Sequence, residues 1–304
     1  MPYIGETAGL LTSLFFAVNA IVITRAGVQI GSVVLNRTRV VFALVYLVLL
    51  NFILFRELLP LEVGATRWMW LALSGVIGLA IGDAFLIQAY VMIGARLGSL
   101  LLSLSTIFGA LEAWLFFGES LRLGQIIGIA LALAGIIWVV LERGLPAAAV
   151  EGEQPRVRPS LVGILFGVLG GLGQATGLVF SRQGMQGNIS PISGNVIRML
   201  AAVIALWLIT VLQRQAGHTV VTLRAHPSAF RLVALAALIG PVIGVSLSLL
   251  AVQNTAVGVA SVLTSLSPIF MLPMSHFFFK ERLGWQPIAG TLLAMSGVVV
   301  LFLS

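Results

Sequence analysis

Ten apolar runs, each about as long as a bilayer is thick, occupy most of the 304-residue sequence. Bounded by Arg, Pro or Gly clusters, their cores fall at 8–25, 33–55, 68–92, 97–117, 123–141, 160–181, 193–212, 231–252, 257–279 and 285–303. A spanning helix needs about 20 mostly apolar residues, so ten spans take about 200 positions and leave about 100 for ends and connections. No soluble domain fits in that remainder. The runs are also too unbroken for the alternating strands of a membrane barrel. The fold class is therefore all-α, a polytopic membrane protein of ten transmembrane helices. Composition agrees: 59% of residues are hydrophobic and 9% charged, against about 45–50% and about 25% in a soluble domain.

The net charge of +7 comes from sixteen Arg and one Lys set against ten acids. These cations are scattered through short connections and form no stripe or tail, which argues against a nucleic-acid partner. The absence of cysteine excludes disulfides, thiolate metal sites and cysteine nucleophiles. Glu6 precedes the first run and no Lys or Arg does, unlike the positive start of a secretory signal. The first run reads as a retained helix.

The longest polar connections are 142–159, with Pro146, Pro155 and Pro159, and 213–230, with His218 and His226. The first lies near mid-chain and separates stretches that repeat. At an offset of 162, Ser99 to Leu121 lies over Ser261 to Leu283 with eleven identities in 23 and no gap. Ser103, Ser105 and Glu119 align with Ser265, Ser267 and Glu281. The match extends through Gly128 and Gly135 over Gly290 and Gly297, and back through Gly78 and Gly82 over Gly240 and Gly244. At slightly different offsets, Asn36 and Arg39 pair with Asn195 and Arg198, and Thr24, Arg25 and Gly27 with Ser181, Arg182 and Gly184. This gives a first repeat at 1–145, a linker at 146–159 and a second repeat at 160–304. Each copy holds five spans, an odd number, so the second enters the membrane from the opposite side. Two inverted five-helix repeats place a substrate site near the midplane and expose it to each side by rocking.

The doubled pattern of a serine stretch, Ile-Phe, a bulky apolar stretch, then GESL at 118–121 or KERL at 280–283, resembles the EamA-type drug/metabolite transporter superfamily. The glycine-bearing helix that follows and the arginines Arg39 and Arg198 fit the same pattern. The resemblance covers nearly the whole chain. It implies a ten-helix carrier that moves small metabolites, amino acids or drugs, often outward and without ATP. It also implies a central cavity lined by runs 1, 3, 4, 6, 8 and 9. The family's proline before Ile-Phe is present as Pro268 and replaced by Thr106, so the first half is expected to lack a kink there.

Ionisable side chains inside spans are expensive and usually face the bundle interior or a wet cavity. Asp83, with no Arg beside it in sequence, reads either as a proton or cation site or as a buried acid donating to a carbonyl. Glu112 lies seven residues after Ser105 and seven before Glu119, nearly one helix face. It reads as the charged point of the cavity, or as bonded to Arg39 or a Trp. His276 aligns with Trp114 and is turned about 200° from the Glu112-equivalent face, though its titration range suits proton coupling. Arg39 and Arg198 lie about ten ångströms into their helices. They read as structural, snorkelling or bonding carbonyls or a carboxylate across the repeat interface, or as anion-binding guanidiniums. Glu119 and Glu281 read as boundary caps or pairs beside Arg122, Lys280 and Arg282. Asn19, Gln88, Tyr90, Gln174, Thr176, Gln253 and Asn254 extend the candidate lining. Gly163, Gly167 and Gly171 form a small ridge on run 6 suited to close packing, and Pro241, Pro268 and Pro273 can kink runs 8 and 9.

No phosphate-binding GxxxxGK[ST] loop is present, and no cofactor is expected. The partners read from the sequence are the lipid bilayer, a small-molecule substrate and protons through Asp83 or Glu112. The localisation read from it is the inner or plasma membrane. Counting loop cations places both termini outside, whereas the resemblance implies cytoplasmic termini, and orientation stays open. Three rivals remain: a lipid or lipid-linked-sugar flippase, an intramembrane enzyme using Asp83 and Glu112 as acid and base, and a channel.

Overall fold

The computed structural model describes residues 3–117, 122–144, 160–186, 189–254, 263–279 and 284–303. Among them no strand occurs. The helices are α1 Ile4–Ile30, α2 Ser32–Phe55, α3 Ala65–Ser74, α4 Asp83–Leu102, α5 Leu104–Phe117, α6 Leu123–Gly144, α7 Leu161–Gly184, α8 Pro191–Leu212, α9 Ala216–Ala225, α10 Pro227–Ala237, α11 Val245–Asn254, α12 Ser267–Phe279 and α13 Trp285–Leu303. Seven described helical stretches are long and apolar enough to cross a membrane. The chain is a multi-pass membrane protein. A helix satisfies its backbone within one segment, as hydrocarbon requires. Polar side chains in the spans do likewise: Thr12, Thr24 and Thr38 turn their hydroxyls to the carbonyls of Ala8, Ala20 and Val34, at 2.7–2.8 Å.

Two glycines with positive φ reverse the chain. Gly31 (φ 79°) joins α1 directly to α2, and Gly94 (φ 82°) interrupts α4. A Cβ on Gly98 would touch the Tyr90 ring, so residues four before and four after Gly94 lie side by side. The apolar stretch Ala65–Leu102, which as one helix would run about 57 Å, thus folds back on itself.

Two stretches depart from the α-helical ladder into wider π-type turns, Gly75–Gly82 between α3 and α4 and Leu238–Gly244 between α10 and α11. Pro241, which cannot donate a backbone bond, sits inside the second. An asparagine braces each: Asn36 Nδ2 donates to the Ala80 carbonyl at 3.3 Å, and Asn195 Nδ2 to that of Pro241 at 3.1 Å.

Packing crosses the sequence halves. Helix α1 lies against α10, the second π turn, α11 and α12, while α7 lies against α3, the first π turn, α4 and α5. Helix α2 packs on α8. Helices α6 and α13 form a close pair in which Gly128 and Gly135 face the backbone of Gly297 to Leu301 and of Gly290 to Ala294. Small residues permit such backbone approach in lipid.

Several expectations are corrected. The 213–230 connection contains the helix α9, whose Thr219 hydroxyl folds back on Gln215 at 3.1 Å. In the first half a single turn residue, Ser103, separates α4 from α5 before Ile-Phe; its backbone stays in the helical region and its carbonyl accepts from the Thr106 hydroxyl at 2.6 Å, so the expected lack of a sharp kink there is not contradicted. Pro268 stands in the first turn of α12 and so cannot kink its interior, whereas Pro273 is internal. Arg96 follows the Gly94 reversal by two residues, as expected of a cation in a connection, yet it is buried. The linker 146–159 and the caps Glu119 and Glu281 lie outside the described residues.

Candidate functional site

Asp83 opens α4 directly after the first π turn, and Arg39 reaches it from the second turn of α2. The two form an ion pair with side chains 6% and 9% exposed. Arg39 Nη2 also donates to Asn36 Oδ1 at 3.2 Å. The other Asp83 oxygen accepts from Gln174 Nε2 on α7, which lies 3.4 Å from the Gly78 carbonyl as well. Asp83 is therefore neither an isolated cation site nor an acid donating to a carbonyl. Arg39 does not snorkel, and its carboxylate comes from its own half of the sequence. Asp83 and Arg39 lie 44 positions apart, which is why sequence adjacency gave no sign of the pair.

Arg198 on α8 is 9% exposed, and its Nε has no hydrogen-bond partner. Its backbone carbonyl packs on Gly75, and its Nη2 lies 3.9 Å from where a Cβ on Gly78 would stand. The glycines keep that approach open: Gly78 faces Gly177, and Gly82 faces Gly173. Ser74 Oγ adds a bond of 2.5 Å to the Gly177 carbonyl.

Glu112 on α5 is also 9% exposed. Thr176 Oγ1 on α7 donates to its Oε1 at 2.6 Å, and its Oε2 has no partner. The expected partner, Arg39 or a Trp, is replaced by Thr176. Gln174 and Thr176, two residues apart, leave α7 about 160° from one another. Asp83 and Glu112 thus sit on opposite sides of α7 and do not converge as an acid and base pair.

The remaining candidates spread around this centre. Asn19 on α1 is buried against Gly240 with Oδ1 unpartnered. Gln88 accepts from Ser32 at the start of α2. Tyr90 is buried over Gly98, beside Ser99. Ser105 is half-buried near Gly171, and Ser267 is buried at the start of α12. His276 is exposed, its ring edge-on to Phe277. The glycine ridge packs as anticipated, Gly163 on Ile93 and Gly167 and Gly171 on Leu101. Asn254 is exposed and bonds to the Leu250 carbonyl.

Arg37 was missed. It is 5% exposed, and its Nη2 donates to Gln215 Oε1 at 2.9 Å and Gln213 Oε1 at 3.4 Å. With Val33, Asn36, Ala84, Leu206, Ile209 and Gln213 it lines a cavity of about 240 Å³ between α2 and α8. The NRTR stretch carried the signal, since two arginines 200° apart on one helix address two different neighbours.

The sequence model of the EamA-like transporter family matches residues 3–141 and 161–303. The chain belongs to the EamA-like transporter family. It is a membrane transporter, as its family is one of transporters. A 44-residue stretch is 48% identical to a protein of Archaeoglobus fulgidus described as "Uncharacterized transporter"; the match takes in 14% of this chain and 16% of that protein. A solved structure described as "Crystal structure of protein" is similar in fold, with a TM-score of 0.64 at 16% identity, covering 97% of this chain and 94% of that one.

Proposed function

We propose that this family member is a secondary transporter of the inner or plasma membrane for a small metabolite, an amino acid or an amphipathic organic compound, working as exporter or exchanger. Its two units, 1–145 and 160–304 joined by 146–159, act as inverted five-helix repeats that alternate access to a central site. Ten crossings follow when Gly94 divides the third from the fourth and each π turn belongs to one span. The crossed packing, the braced π turns at matched positions and the two family matches of like length support this reading.

One observation carries it. Both buried carboxylates of the first half are bonded across to the second, Asp83 to Gln174 and Glu112 to Thr176. Rocking one half on the other breaks those bonds and uncovers polar groups that a solute then satisfies. The two carboxylates are buried, and Gln174 and Thr176 are half-buried.

The test is counterflow in proteoliposomes over a panel of labelled amino acids and amphipathic metabolites. Saturable flux that an excess of unlabelled solute on the opposite side accelerates is expected. Absence of any such flux across the panel removes the carrier reading.

A further inference from the structure

Arg39 and Arg198 hold matched positions, yet their surroundings differ by one carboxylate. Arg39 Nη2 donates to Asp83 and to Asn36 Oδ1. At the offset of 162 the counterpart of Asp83 is Val245. Asn195 braces its π turn just as Asn36 does, so the scaffold is duplicated while the acid is not. Arg198 is more than nine-tenths buried; its Nε is unbonded, as is that of Arg39, and what sets it apart is that no ion pair of Arg198 occurs among the described residues. Asp83 acts on it electrostatically, but both Asp83 oxygens are already engaged by Arg39 and Gln174. Among the described residues, two guanidiniums beside one carboxylate leave one positive charge without an ion-pair partner, in a setting where buried charge is expensive.

We propose that Arg198 is the carboxylate-binding residue of the transport site, and that the solute is a small monocarboxylate or an amino acid held by its carboxylate. This rests on the carrier reading above. The guanidinium presents a planar fork of donors matched to the two oxygens of a carboxylate. A single negative charge cancels the excess; a phosphate monoester, at about −1.5 to −2 near pH 7, overshoots it. Beside Nη2 the backbones of Gly78 and Gly177 pack directly on each other with no side chain between them, so a solute reaches the guanidinium only as the halves move apart. Arg198 and Gly177 come from one half and Gly78, in the first π turn, from the other, so the surroundings of a solute bound there separate when the halves part.

The experiment is thermal unfolding of the full chain in detergent. Its probes are benzoate, phenylalanine and straight-chain monocarboxylates, each beside its amide, with phenyl phosphate as the dianionic arm. At least one carboxylate raises the unfolding temperature saturably while its amide does not, and phenyl phosphate does less. Arg198→Gln weakens that carboxylate on the order of tenfold or more. Without solute, Arg198→Met unfolds at the wild-type temperature or above, because it removes a buried charge that has no ion-pair partner of its own. The proposal is overturned if acid and amide act alike, if no carboxylate acts, if phenyl phosphate acts more strongly, or if Arg198→Met alone is destabilised. Counterflow on the same preparations separates the two readings. Saturable flux without Arg198-dependent carboxylate preference sinks this inference and leaves the carrier, whereas no flux for any solute sinks the carrier.

Discussion

Asp83 has both oxygens occupied and Glu112 has one free, and this difference assigns them separate tasks. Removing one partner of a buried ion pair strands the other, so Arg39→Met should destabilise the fold by about 3–5 kcal/mol, read as denaturant unfolding in detergent. If flux follows a pH gradient, Glu112→Gln should abolish that dependence, because Glu112 is a buried carboxylate bonded to the other half whose Oε2 has no partner. Asp83→Asn should lower flux yet retain the gradient dependence. Uptake with and without an imposed gradient checks both, and loss of the dependence in Asp83→Asn with retention in Glu112→Gln reverses the assignment. The candidate residues were legible because charge is rare in spans. Their partners were not, since Arg39 to Asp83 and Glu112 to Thr176 are contacts between helices that chain order does not place together. His276 shows the limit in the other direction: its chemistry suits a site, and its side chain is exposed.

At the scale of the element, glycine decides what hydropathy cannot. Gly94 has φ 82° and ψ 161°, a conformation that is essentially glycine's alone. Gly94→Ala should therefore lower stability by on the order of 1–3 kcal/mol. Gly173 meets the Gly82 backbone, with a Cβ placed 2.6 Å from its Cα, and Gly173→Ala should cost about 1–3 kcal/mol through overpacking. Gly109 on α5 has nothing within 4 Å, so Gly109→Ala should be neutral or gain up to about 1 kcal/mol of helix stability. Unfolding midpoints of the three variants in one detergent check the order. The apolar runs announced most helices because hydrocarbon leaves a span no other backbone solution. The π turns were not legible: Gly75–Gly82 and Leu238–Gly244 read as ordinary apolar helix, and their widening depends on Asn36 and Asn195 from neighbouring helices. Nor was α9, whose polar sequence carries no spanning signal.

Across the whole molecule, the aligned glycines of the sequence became physical contacts. Gly128 and Gly135 face the stretch that holds Gly290 and Gly297, and α1 and α7 each lie against helices of the other half. Such reciprocity is what the proposed inverted arrangement requires. The internal similarity was readable from one sequence because the two stretches share their small residues and serines. The contacts between the halves were not, since chain order does not place those residues together.

The chain holds no cysteine, so any one introduced is a unique marker. Glu57 follows α2 and Gly217 lies on α9 after α8, both exposed and at matched places in the two halves. Labelling Glu57→Cys and Gly217→Cys in intact cells with a membrane-impermeant maleimide, before and after permeabilisation, tests the inverted arrangement directly. The account predicts that one is labelled in intact cells and the other only after permeabilisation; labelling of both from the same side would contradict it.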